Sequence, residues 1–203
     1  MAKLDFKQQF KQFYSPSAKQ CAIVDLPAMN FLMLDGAGDP NHAPAFQTAV
    51  ETLYAVAYTL KFMLKKGADG IDYGVMPLEG LWWSEEMATF SVERKSDWLW
   101  TLLIMQPDFI TAAQVEAAKV EAAKKKDLPA LSQLRFEAYH EGLSAQIMHL
   151  GPFAAEGPTI ATLHTFISNQ GYQLRGKHHE IYLNDLRRTA PEKLKTVIRQ
   201  PIK

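Results

Sequence analysis

Glu180 and Tyr182 stand two positions apart in the run His178-His179-Glu180-Ile181-Tyr182-Leu183. In an extended strand, residues two apart share a face, so a carboxylate and a phenol project together with His178 beside them. His179, Ile181 and Leu183 then turn the other way and suit a packed layer of helices. An acid sent to the same side as an aromatic ring is expected to line a cavity, because a carboxylate is rarely buried without a task. Out of bulk water its charged form is disfavoured, so it can take up a proton near neutral pH or attract an organic cation. The competing reading is an ordinary glutamate, exposed or paired with Arg187 or Arg188, and alternation by itself leaves both open. His178 is read as a hydrogen-bond partner of Glu180 or a second proton carrier.

The chain is rich in aromatic side chains: Tyr54, Tyr58, Tyr73, Trp82, Trp83, Trp98, Trp100 and Tyr182. Most are expected in the core, which their area stabilises. Trp82 and Trp83 are adjacent and follow Gly80, so on an extended backbone one can pack while the other covers a pocket. With Tyr73, Tyr54 and Met76 they are the candidate ligand-binding residues beside Glu180, and flat aromatic walls with one acid suit a planar, lipophilic and often cationic molecule. No metal and no cofactor is expected. His178 and His179 point to opposite faces, and Cys21 is the only thiol. Asp35-Gly36-Ala37-Gly38-Asp39-Pro40 lacks both the G-x-G-x-x-G spacing and the Walker lysine, so it is read as a turn. No G-x-S-x-G elbow occurs.

The elements that would carry these residues follow from periodicity. Ala22 to Leu34 reads as a strand region broken at Leu26-Pro27. Phe46, Val50, Leu53, Tyr54, Ala57, Leu60 and Leu64 recur at helical spacing up to Gly67. Ile71 to Leu78 and Met87 to Val92 read as strands joined by the loop Glu79 to Trp83, and Trp98 to Met105 as a further strand. The order then recurs: the strand Gln146 to Leu150, a helix carrying Ile160, Leu163, Phe166 and Ile167 up to Gly171, then the strands His178 to Leu183 and Lys193 to Gln200. An offset of about 115 residues implies an internal duplication. The expected fold class is α+β, with duplicated strand-helix-strand-strand units (about 18–108 and 138–203) in one domain spanning 1–203, antiparallel sheets and a central ligand groove between the halves. A helical segment, 111–136, joins them: Thr111 and Gln114 form a capping box, the Ala/Glu/Lys helix is charged on most sides and belongs on the surface, and Pro129 opens a short helix through Phe136.

With 203 residues, 47% of them hydrophobic, the chain can bury a core without a disulfide. Lys plus Arg, at 22, balances Asp plus Glu, at 22, so no global field draws nucleic acid or an anionic membrane. Lys124-Lys125-Lys126 lacks interleaved aromatics and reads as a solvated helix end. One cysteine, no signal-like N-terminus and no long apolar segment point to a cytoplasmic protein.

The run His178 to Thr196 resembles the ending of stand-alone GyrI-like small-molecule-binding proteins. The similarity extends to Asp5–Pro16, to Met33–Pro40 and to Tyr73–Trp83 with its Pro-Leu-Glu-Gly-Leu-Trp-Trp segment. The resemblance implies a duplicated strand-helix-strand-strand fold whose groove takes lipophilic, often cationic compounds, as in the drug-binding domains of multidrug-responsive regulators, and it places Glu180 at the ligand. One branch of the family is similar to hydrolases that open strained cyclopropane rings of DNA-alkylating compounds, which implies self-protection, with Glu180 activating water and Tyr182 or His178 donating to the developing charge. Leu186 departs from the proline associated with its position. Non-catalytic sequestration and a gyrase-inhibitor-like interaction module are the alternatives, and the oligomeric state stays open.

Overall fold

The order strand, helix, strand, strand occurs twice in the computed structural model, which describes residues 3–68, 70–85, 92–185 and 188–203, the side chains of residues 92 and 93 excepted. Two one-turn helices, α1 (Phe6–Gln9) and α2 (Lys11–Tyr14), precede β1 (Ala22–Ala37), α3 (Pro44–Lys66), β2 (Leu78–Trp83) and β3 (Leu99–Gln106). Next, α4 (Ala112–Ala123) leads to β4 (Arg135–Leu150), α5 (Gly157–Asn169), β5 (His178–Tyr182) and β6 (Lys195–Pro201). The fold is α+β with antiparallel pairing. Two compact units divide the chain: Met1–Phe6 with Met29–Met76 and Trp82–Tyr139, and Lys7–Ala28 with Pro77–Leu81 and His140–Lys203. β1, β2 and β4 each contribute residues to both.

In the first unit, β1 pairs with β3 from Asn30↔Gln106 to Ala37↔Leu99. Pro44 opens α3, where its missing N–H costs nothing, and the helix packs on β3 through a stripe that includes Leu53, Val56, Ala57 and Leu60, all buried. Gly36 is required by a close approach. A Cβ there would lie 2.0 Å from Cη2 of Trp100, whose ring is fully buried. Thr111 caps α4 and Gln114 closes the capping box. The expected surface helix nevertheless buries Val115, Ala118 and Ala122 and packs against α3, because its alanines form the apolar stripe. Lys124 pairs with Glu121 at 2.6 Å and Lys126 with Glu51 at 2.5 Å.

In the second unit, β6 lies between β4 and β5, with Glu180↔Ile198 and Ile198↔Ile147 in register. Ala145, Ile147, Ile198 and Ile202 pack against Leu163 and Ile167 of α5, and each fully buried aliphatic contributes roughly 1.5–3 kcal/mol. Gly171, at φ 81°, stops α5 as expected.

Several boundaries differ from those read in the sequence. β1 runs unbroken through Pro27, which is exposed where no ladder donor is needed. Of the stretch expected as a strand, 71–78, Leu78 alone belongs to a strand, as the start of β2, and Tyr73 makes an isolated bridge to Leu4. The expected loop 79–83 is instead strand β2, whose burial a mixed Glu-Gly-aromatic composition conceals. The short helix expected from Pro129 is a 3-10 turn, Leu131–Gln133, and β4 begins at Arg135, not Gln146. Leu186, Arg187 and the strand expected over 87–92, as far as residue 91, lie outside the described residues. Among those residues no helix is long and apolar enough to cross a membrane.

Candidate functional site

β5 brings His178, Glu180 and Tyr182 to one face. The Tyr182 hydroxyl donates to Glu180 Oε2 at 2.8 Å, and His178 Nε2 lies 3.1 Å from Oε1. Glu156, the residue just before α5, is buried and also bears on Glu180. The Phe153 ring meets Tyr182 edge-on with centroids 5.5 Å apart. Burial pushes the Glu180 carboxyl up, but His178, Tyr182 and Glu156 together outweigh it and hold the group below its ordinary value. Its side chain keeps 15% exposure, so the carboxylate is charged, fixed by its partners and still reachable at one edge.

The helical layer lies on this face and not on the opposite one. Glu180 shares a face with Ile198 and Ile147, which pack on α5, and its neighbours Glu156 and Phe153 come from the start of that helix. Both faces of β5 are covered, and a five-residue strand with His179 and Ile181 on its second face signals burial without saying by what.

That second face holds a buried ionic cluster. His179 Nδ1 is 2.9 Å from Glu141 Oε1 and its Nε2 is 3.0 Å from Glu79 Oε2. The Tyr14 hydroxyl donates to Glu79 Oε1 at 2.8 Å, and Arg199 donates to Glu141 Oε2, to Gln146 Oε1 and to the Phe13 carbonyl. Burial alone would depress the imidazolium of His179, but Glu141 and Glu79 push it up to about 9. For Glu141 burial acts upward, and His179 with Arg199 prevail and bring it down to about 2. Two anions facing two cations leave the cluster neutral, which is how charge is tolerated in a core. Burial, then the charge of Glu79, raises the Tyr14 phenol well above its ordinary value. The sequence hides this cluster because Glu141 and Glu79 stand 38 and 100 positions from His179. The one local sign is an acid inside the apolar run Leu78 to Trp83.

The aromatic candidates lie in the first unit. Trp82 is buried, stacked on Phe46 at 6.0 Å and edge-on to Trp98 at 5.5 Å, whereas Trp83, the next residue of β2, is half-buried. Tyr73 packs edge-on against Phe109, and burial raises the pKa of its phenol well above the ordinary value. Met76 is buried, and Tyr54 stacks on Tyr58 along α3. Hollows of about 310 and 440 Å³ open in this unit, the first lined by Met63, Leu64 and Phe109, the second by Ser84, Arg94 and Trp98. None of the eight candidate residues lines either. Among the described residues no group of three or more His, Cys, Asp or Glu is placed to hold a metal ion.

Comparison with known proteins agrees with this architecture. A model of the GyrI-like small molecule binding domain matches residues 19–203. An uncharacterized conserved protein from Listeria innocua is 44% identical, with a TM-score of 0.92 over 99% of this chain and 100% of its own. A hydrolase from the same organism is 43% identical, with a TM-score of 0.88 and full coverage of both chains. The C-terminal domain of EcmrR, at 14% identity and a TM-score of 0.56 over 91% of this chain and 97% of its own, shares the fold. No curated protein matches.

Proposed function

The chain belongs to the GyrI-like small-molecule-binding domain family, and from that premise we propose that it binds planar, lipophilic, often cationic molecules at Glu180 and hydrolyses those that carry a strained cyclopropane ring. The observation that carries this reading is the Glu180 carboxylate, fixed by Tyr182 and His178 and reachable at one edge. The whole-length similarity to a hydrolase supports the catalytic half. In the reaction, Glu180 takes a proton from water, the water oxygen bonds to the strained carbon, and the ring C–C bond breaks with its electrons moving to a conjugated oxygen. Tyr182 or His178 donates to that oxygen. Trp83 is half-buried, whereas Trp82, Tyr73 and Met76 are packed in their own unit. The biological outcome would be detoxification of a DNA-alkylating compound.

Incubation with a cyclopropane-bearing alkylator, followed by mass spectrometry for addition of one water, tests the reading. Glu180→Gln is expected to slow ring opening by about 10²–10⁴-fold, the usual range for a general base. Turnover at the parent rate would overturn the assignment. Sequestration is the second reading, favoured by the family's small-molecule binding: ethidium would bind, more weakly to Glu180→Gln, and no product would form.

A further inference from the structure

The candidates Tyr54, Tyr73, Trp82 and Trp83 lie in the first unit and Glu180 in the second, so a flat ligand held within the second unit needs a ring of that unit. Among its described residues Phe13 and Tyr14 are buried, Phe166 and Tyr172 pack on the core beside α5, and Phe153 alone has an exposed ring, at 39%. A single exposed apolar side chain signifies nothing by itself. What surrounds Phe153 gives it meaning.

Its ring meets that of Tyr182 at 78° with centroids 5.5 Å apart, and the Tyr182 hydroxyl is the donor to Glu180 Oε2. One tyrosine thus touches the carboxylate with its oxygen and Phe153 with its ring. An edge-to-face contact uses one face of a ring at most, so the exposed part of Phe153 is open ring surface joined to the reachable carboxylate through the Tyr182 side chain.

The turn that carries the ring is fixed on both sides. Gly151, at φ 127°, donates its N–H to the Leu194 carbonyl at 3.0 Å, and the N–H groups of Ala155 and Glu156 close onto the carbonyls of Pro152 and Phe153. The buried His149 lies 3.2 Å through Nε2 from the Pro152 carbonyl and 2.9 Å through Nδ1 from Thr159 Oγ1, in the first turn of α5. A carbonyl only accepts, so Nε2 carries the hydrogen and the imidazole ties the turn to the helix. A ring held in this way has little freedom to lose when a ligand stacks on it.

We propose that Phe153 is a ligand-contacting residue: its open ring forms the aromatic wall of the Glu180 site, and a flat cation of fused rings stacks on it with its charge turned to the carboxylate. The inference rests on the reading of Glu180 as the ligand-facing acid. It divides recognition in two, because the ring takes the ligand's face whatever its charge, whereas Glu180 takes the charge.

The test compares proflavine, a planar cation, with acridine, its neutral counterpart slightly above neutral pH, by titration against the whole chain. Phe153→Ala is expected to weaken both by about five- to tenfold. Glu180→Gln should weaken proflavine alone, and Phe62→Ala, which removes an exposed ring of α3 in the first unit, should change neither. A second measurement does not depend on the alanine variant: with phenylalanine rings labelled and Phe153 assigned through Phe153→Tyr, saturating acridine should move the Phe153 ring protons upfield and leave those of Phe62 in place. Parent affinities in Phe153→Ala, or unmoved Phe153 protons, together with a weakened proflavine in Glu180→Gln, would overturn the aromatic wall and leave the reading of Glu180 intact. Proflavine bound equally by the parent and Glu180→Gln, or by neither, would overturn that reading and the wall together.

Discussion

Both ring nitrogens of His179 face carboxylate oxygens, which accept only, so both must donate and the ring is an imidazolium. Its removal strands Glu79 and Glu141 with fewer cations than anions in a buried space. His179→Ala is therefore expected to destabilise the protein by about 3–5 kcal/mol, the usual result of breaking a buried ion pair from one side. Urea unfolding of parent and variant measures it, and a loss under about 1 kcal/mol would show that water already reaches these carboxylates. At this scale the sequence was legible where chemistry is local. Glu180, Tyr182 and His178 share a face because alternation demands it, and the structure bonds them together. Glu156 was not legible, since an acid before a helix reads as a partner of the helix dipole. Nor was the role of His179, whose partners Glu79, Glu141 and Arg199 are brought to it only by pairing between distant segments.

Elements were legible where one period dominated. α3, with its long apolar stripe, and α5, with a glycine stop, sit where spacing places them. β2 was hidden because Glu79 and Gly80 interrupt an apolar run, and the reason they belong there is tertiary: Glu79 answers His179 and Tyr14. Gly36 teaches the same lesson. In sequence it looked like turn punctuation, but it is the last-but-one residue of β1 and leaves room for the Trp100 ring on the neighbouring strand. Gly36→Ala puts a methyl within 2.0 Å of a ring that is itself wedged edge-on against Phe46 at 5.4 Å and has no free space to retreat into. A loss of about 1–3 kcal/mol is expected from this overpacking, read as a lower urea midpoint with an unchanged slope. At Gly38, φ 95°, a Cβ would meet only Ala43 Cβ at an ordinary contact of 3.5 Å, so Gly38→Ala tests backbone strain instead, and the two variants separate steric from conformational demand on one short segment.

For the molecule as a whole, the buried cluster sets a pH window for stability. His179 titrates near 6.5 when unfolded and at about 9 when folded, so its contribution is complete below about 6.5 and is lost as pH rises through 9. Glu141, at about 2 folded, contributes fully above the ordinary glutamate range near 4.3 and loses that contribution as pH falls toward 2. His164 acts with the opposite sign to His179: burial lowers its pKa in the folded state, so folding resists its protonation and stability declines below about 6.5. Together these place the maximum near neutral pH, with an acid limb shared by several groups and an alkaline limb that belongs chiefly to His179. Urea unfolding at pH 6.5 and pH 9 should show a decrease on the order of 3 kcal/mol in the parent. In His179→Ala that alkaline decrease should vanish while the acid limb remains, because the variant has no imidazolium to lose. A parent whose stability is level from pH 6.5 to 9 would mean that His179 is neutral when folded, and the two-donor geometry that joins Glu79 to Glu141 would then have to be abandoned.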